Sequence, residues 1–209
     1  MYVSVDWWQG ELDSRRLPGG PLQVRRDTRG TFLTRSDVWG HASEFTRDHV
    51  GALRLLWHAL AWGVGLNSLR NEGRRLDAVA ADPSRAAGLL QQAAALSRTQ
   101  PEDAYAVLHP RGSGVIKQLG PAFGTKCLYF AGGGAPDHAS LILDARVATT
   151  LRRAGWTSLP NGGWLPSAYR RYTDLMARWS KELSTKGAPV TGDMLEFALF
   201  EQSRRPHRR

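Results

Sequence analysis

The chain has 209 residues, 42% of them hydrophobic, with 28 Lys and Arg against 19 Asp and Glu, a formal charge of +9. Such a length supports one substantial core, and no uninterrupted apolar run of about 18 residues marks a membrane span. The single cysteine, Cys127, excludes an internal disulfide framework and a four-cysteine iron–sulfur cluster, and the basic excess points to a polyanionic partner held in a salt-dependent way.

Residues 1–35 carry the turn signals Gly19-Gly20-Pro21 and Arg25-Arg26-Asp27-Thr28-Arg29-Gly30 among short Val or Leu runs able to pair as strands. Met1 to Asp6 lacks the basic and apolar regions of a signal peptide, which with the lone cysteine points to the cytoplasm. We read 1–35 as an N-terminal segment packed on a helical domain over 36–203, followed by a disordered basic tail over 204–209. A helix is expected to start near Ser36-Asp37, and another to span about Glu44 to Trp62 with Val50, Leu53, Trp57, Leu60 and Ala61 inside. Asp82-Pro83-Ser84 opens a helix through about Ser97, and Pro101-Glu102-Asp103 opens one reaching Leu108.

Val115, Ile116 and Leu119 then give an apolar helical face that stops at Gly120-Pro121. A turn over Pro121-Ala122-Phe123-Gly124 follows, with Gly124 supplying positive φ, and Thr125 starts a helix carrying Lys126, Cys127, Leu128 and Phe130. The turn amides and that helix N-terminus are donors able to hold a phosphate. Gly132-Gly133-Gly134 ends the helix. Asp144 is expected to cap Ala145–Arg153, Pro160-Asn161-Gly162-Gly163 forms a loop, and Pro166 to Leu183 forms a long helix with Tyr169, Tyr172, Leu175, Met176 and Trp179. Asp193 leads the last helix.

Lys126 and Asp144 lie 18 positions apart, each at a helix start. An amine nucleophile and a carboxylate flanking a backbone-rich turn suit chemistry on an anionic polymer, although a first-turn lysine is most often a solvated charge and such an aspartate an N-cap. Capping would also fix the direction in which the carboxylate points. Lys117, Arg152, Arg153, Arg170 and Arg171 fall where a phosphate-facing surface is expected. Among eight tryptophans, Trp57 and Trp62 sit in the most apolar helix, while Trp7, Trp8 and Trp164 stand in loop-like contexts where a ring could stack on a base or wedge into a duplex. His109 reads as a capping or surface residue.

Pro121-Ala122-Phe123-Gly124-Thr125-Lys126, followed by Leu141-Ile142-Leu143-Asp144-Ala145-Arg146-Val147, resembles the hairpin and the apolar-apolar-Asp segment of the helix-hairpin-helix DNA glycosylase superfamily. The Gly-Thr-Lys sequence is most similar to the 8-oxoguanine DNA glycosylase branch. The resemblance covers roughly residues 105–155, and Ala122 departs from it where the hairpin has its first glycine. It implies a mainly α fold, Lys126 and Asp144 as the catalytic pair, and contacts from Ala122, Gly124 and Thr125 to the DNA backbone. A fainter likeness of Leu195 to Phe200 to the last helix of those enzymes implies a base pocket containing Glu196 and Phe200, four positions apart and on one face. Core packing of an amphipathic helix is the plainer reading of the same spacing.

Together these features imply a DNA glycosylase with associated lyase activity. It would act as a monomer on double-stranded DNA with a damaged or modified base, in the cytoplasm with the nucleoid. The chemistry implied requires no metal or other cofactor, though hairpin carbonyls in the superfamily can hold a monovalent cation. Two rivals stand beside it: the same fold acting on modified foreign DNA in defence, and a non-catalytic helix-hairpin-helix module that only grips DNA.

Overall fold

The computed structural model describes residues 1–66 and 69–203; the tail expected over 204–209 lies outside the described residues. Its helices are α1 (Val5–Ser14), α2 (Arg35–Trp39), α3 (Ala42–Phe45), α4 (His49–Val64), α5 (Leu69–Ala80), α6 (Pro83–Ser97), α7 (Pro101–Leu108), α8 (Pro121–Phe130), α9 (Ala145–Arg153), α10 (Pro166–Leu183) and α11 (Gly192–Gln202). Strands β1 (Arg25–Asp27) and β2 (Gly30–Phe32) form one antiparallel pair with Arg25 opposite Phe32. The fold is mainly α.

Helix α4 is apolar over most of its circumference because it sits in the middle. Leu53, Leu55, Leu56, Trp57, Leu60 and Ala61 are all buried, and the helix packs against α2, α3, α6 and α8. A helix hydrophobic all round belongs in a core. Val50, expected inside, is 42% exposed, because the helix expected from Glu44 is broken. Asp48 caps a fresh start by accepting from Gly51 N at 2.7 Å. A Cβ on Gly51 would lie 2.1 Å from Glu44 O, so the break brings α3 and α4 closer than any other residue would allow.

Local start signals set several boundaries where the sequence placed them. Asp82 caps α6 by accepting from Arg85 N, Pro101 and Pro166 sit in the first turns of α7 and α10, and Asp144 caps α9. In α2, Thr34 and Asp37 form a reciprocal capping box, so the helix begins at Arg35, one residue before the expected start. Helix α5 has no counterpart in the sequence reading. Leu76 and Val79 are its buried apolar residues, but Gly73 and several charged residues weaken its periodicity.

The N-terminal part and residues 109–124 differ from expectation in several places. Trp7 and Trp8 belong to helix α1, not to a loop, and Trp8 is fully buried. The two strands lie within the Arg-Arg-Asp-Thr-Arg-Gly signal and its flank, not in the Val or Leu runs. Residues 109–120 form a loop instead of a helix bearing Val115, Ile116 and Leu119, bent by left-handed backbone at Gly112 (φ 73°) and Gln118 (φ 63°). Pro121 is already the first residue of α8, so Pro121 to Gly124 is a helical turn. Gly124 is helical too; its glycine is needed because a Cβ there would lie 2.0 Å from the His109 ring.

His109 is fully buried against Tyr105, their rings 5.0 Å apart, contrary to a surface role. Trp164 is buried as well, its indole N–H donating to Pro160 O at 2.7 Å, so neither ring is free to meet DNA. His58 is neutral by its bonding, with Nε2 accepting from Gln23 N at 2.9 Å and Nδ1 lying 2.7 Å from Arg54 O. Burial pushes His58 and His109 from 6.5 down to about 4, and lowers His41 and His138 as well.

These shifts set a sign for stability. As pH falls from about 6.5 toward 4.5, the unfolded chain gains histidine protons that the fold refuses, so each lowered histidine costs stability. Glu196, pushed up to about 7 by burial, opposes one of them by taking up a proton in the fold. The histidines outnumber it, and a net loss of a few kcal/mol is expected. Urea midpoints measured at pH 7.0, 5.5 and 4.5 check this; a constant or rising midpoint would mean the histidines protonate in place.

Candidate active site

Helix α8 carries Lys126 in its second turn, and the chain returns to it through the extended run Leu141-Ile142-Leu143 before Asp144. Side chains fix that return. The Thr125 hydroxyl donates to Leu143 O at 3.0 Å and lies 3.2 Å from Leu143 N as its acceptor. From α10, Tyr169 accepts from Leu141 N at 3.1 Å and donates to Leu141 O at 2.8 Å, while Tyr172 donates to Ile142 O at 2.8 Å. All three residues are buried, so each bond compensates a backbone group removed from water.

The result places an amine and a carboxylate side by side. Lys126 Nζ lies 3.9 Å from Asp144 Oδ2 and donates to Ala122 O at 3.2 Å. Asp144 Oδ1 accepts from Arg146 N at 2.9 Å and Val147 N at 3.0 Å, leaving Oδ2 turned toward the amine. The cap thus does aim the carboxylate. Lys126 is 7% exposed, and burial lowers its pKa, against the pull of Asp144 and Glu196 upward. Arg35 lowers it further. The shift favours the neutral amine, the nucleophilic form.

Both groups open on a cavity of about 140 Å³ with a mainly apolar lining. Glu196 and Phe200 of α11 line the same cavity, as their shared helix face requires. Glu196 is 1% exposed. Burial pushes its carboxyl up to about 7, against the opposing effect of Arg35. Phe200 is half-buried, with the Arg146 guanidinium 4.9 Å above its ring. The volume is below the roughly 300–1,000 Å³ of drug-sized ligand sites, a scale that suits one small ring system.

Several lining residues escaped the sequence reading. Arg35 donates to Glu196 Oε2 at 2.7 Å. Trp62 lines the cavity and is half-buried, packing against the core through Phe130. Phe197 stands at the cavity, 52% exposed. Gly63 also lines it; a Cβ there would lie 3.1 Å from Lys126 Cδ and 2.9 Å from Phe123 Cε1, so a glycine lets the lysine stem pass. A glycine near the end of so apolar a helix was the available signal for it.

The residues expected to grip DNA backbone are placed differently. Gly124 and Thr125 are buried and Ala122 is half-buried. The amides of Phe123 and Gly124 donate to Gly120 O at 2.9 and 3.1 Å, so they are not the free donors of an open hairpin. Carbonyls in the preceding loop are also engaged: Ile116 O accepts from Leu119 N and Gln118 O from Arg75 Nε. Cys127 is buried with its thiol pushed up to about 12, which removes it as a competing nucleophile. A wider groove of about 600 Å³ lies beside Trp156 and Arg171, but no lysine lines it.

Among the described residues, no helix is long and apolar enough to cross a membrane. A family model described as "Putative 8-oxoguanine DNA glycosylase OGG-like protein" matches residues 1–200. No curated protein and no solved structure matches.

Proposed function

Because the chain belongs to the OGG-like 8-oxoguanine DNA glycosylase family, we propose that it excises an oxidised or otherwise modified base from double-stranded DNA through a Schiff base on Lys126. The observation that carries this reading is the buried amine of Lys126 beside Asp144 Oδ2, at the edge of a cavity lined by Phe200 and Glu196. A base inside a duplex cannot reach such an amine, so its nucleotide must be turned out into the cavity. The +9 charge supplies the sequence-independent attraction to phosphates.

The neutral Lys126 amine attacks the sugar C1′. The N–C1′ bond forms as the bond from C1′ to the base breaks, and the base leaves with that electron pair and then takes a proton. Asp144, fixed by its cap, stabilises the positive charge that develops on the sugar. The sugar ring opens as the C1′–O4′ bond breaks, giving a protonated imine between Nζ and C1′, with O4′ protonated. Loss of a C2′ proton then expels the 3′ phosphate by β-elimination, and water releases the lysine from the remaining imine. An aliphatic amine and a carboxylate provide the groups these steps need. We further read the enzyme as a monomer working on chromosomal DNA.

Release of free base from duplexes carrying single oxidised, alkylated or deaminated bases tests the reading. Excision of at least one, followed by strand cleavage, is expected. Binding to all without excision or cleavage would reduce the protein to a DNA-gripping module.

The cavity makes a separate prediction for Phe200. Phe200→Ala should weaken discrimination between lesion-containing and undamaged duplex by about 1–3 kcal/mol, the value of one base–aromatic stack. Nonspecific affinity should hold, because phosphate contacts dominate it. Affinities for both duplexes at one fixed salt concentration check this. Equal losses on both, with a lower melting temperature, would assign Phe200 to packing alone.

A further inference from the structure

The buried residue of α11 is not apolar but a glutamate, and its partner lies far away in the chain. A buried carboxylate is costly unless paired and hydrogen-bonded. Arg35 Nη2 donates to Glu196 Oε2 at 2.7 Å, and Nη1 to the Tyr129 hydroxyl at 3.1 Å. Its guanidinium lies over the rings of Trp62, Tyr129 and Phe197 at 5.4, 5.1 and 5.7 Å. Helices α4, α8 and α11 therefore hold the guanidinium, and the Thr34–Asp37 capping box fixes its backbone.

Such an anchored cation does two things to the carboxylate. It fixes the orientation of the side chain at the cavity, and it favours the ionised form. An ionised carboxylate only accepts hydrogen bonds, whereas a protonated one also donates. The charged and titratable groups around Glu196 are Arg35 from α2, Lys126 and Tyr129 from α8, Asp144 at the cap of α9, and Tyr172 from α10. Without Arg35, burial and Asp144 would both favour the protonated acid.

We propose that Arg35 is a specificity-positioning residue: by fixing the orientation of Glu196 and favouring its hydrogen-bond-accepting form, it makes the cavity select a base edge that donates N–H groups and reject one that presents a ring-nitrogen acceptor. This rests on the reading of the cavity as a base pocket. A site built for one hydrogen-bond pattern penalises the wrong edge heavily, because buried groups are left unpaired.

The test uses two duplexes differing in one base. One carries an oxidised guanine, with N1–H and amino donors; the other carries adenine oxidised at the same ring carbon, with N1 as acceptor. Single-turnover excision is measured for the wild type, Arg35→Met, Arg35→Lys, Glu196→Gln and the double variant Arg35→Met/Glu196→Gln. The wild type should prefer the guanine-type base, and Arg35→Met should erode that ratio by about tenfold or more, with Arg35→Lys keeping most of it. In the Glu196→Gln background, Arg35→Met should change the ratio less than about twofold, since glutamine cannot ionise. The wild-type ratio should fall as pH drops below about 7, where Glu196 protonates, and stay flat in Glu196→Gln. An unchanged ratio in folded Arg35→Met, equal losses on both duplexes, or the same change in the Glu196→Gln background would overturn the inference. If Arg35→Met does not fold, a pH-independent wild-type ratio or loss of the preference in Arg35→Lys overturns it instead. A wild type that excises neither base and forms no borohydride adduct would sink the cavity reading itself, and this inference with it.

Discussion

Lys126→Gln is expected to lose the borohydride-trapped DNA adduct and strand cleavage, with base excision slowed by roughly 10³-fold or more. Nζ is the amine at the cavity edge, beside the carboxylate that can answer the positive charge of the reaction. DNA affinity should change little, because phosphate contacts elsewhere supply most of it. Stability should hold as well. The substitution removes a group for which burial penalises the charged form, while Asp144 Oδ1 keeps both of its capping bonds. Burial that lowers the lysine pKa also means that the wild-type rate should rise with pH and level off below the ordinary lysine value of 10.5. An undiminished adduct in Lys126→Gln would move the nucleophile elsewhere, with Lys117 the first alternative.

Asp144→Asn should slow excision by about 100- to 1,000-fold while lowering the melting temperature only slightly. Two effects oppose each other here. Asp144 heads the influences that raise the Lys126 pKa, so the asparagine variant would hold its amine more fully neutral and, on that ground alone, more reactive. Against this, the sugar becomes cationic as the base leaves, and the fixed charge that stabilises it is gone. The second effect is worth several kcal/mol in a water-poor site and should win. The side-chain carbonyl of asparagine can still accept from Arg146 N and Val147 N, so α9 keeps its cap. Single-turnover rates and thermal melts of the same preparation separate the outcomes. Loss of folding with a near-normal rate in the folded fraction would make Asp144 a purely structural cap.

The pairing of Lys126 with Asp144 was legible because both residues sit on local signals. Asp144 is a cap, and Lys126 follows a Pro-Ala-Phe-Gly-Thr start, features that depend on a few neighbouring residues. Glu196 and Phe200 were legible for a similar reason, since four positions on a helix always share a face. The same spacing could not say that Glu196 would be buried beside Arg35, 161 positions away. Trp62 and Gly63 were hidden by the apolar character of α4, which predicts burial but not which side faces a cavity.

The turn before Lys126 shows the limit from the other direction. Pro-Ala-Phe-Gly fits a tight turn and also a helix start with proline in the first turn, and packing decided between them. His109 fills the space that a side chain at position 124 would need, so the glycine records a tertiary contact that looks, in sequence, like a turn signal. The loop 109–120 similarly traded an apolar helical pattern for closure over the core, where Ile116 and Leu119 are buried.

The measurement that bears most directly on the account is borohydride reduction of the wild-type protein during turnover on a lesion-containing duplex, followed by mass-spectrometric mapping of the cross-linked peptide. One DNA-derived adduct, carried by Lys126, is expected on damaged but not on undamaged duplex. Base excision without any trapped adduct, or an adduct mapped to another residue, would contradict it.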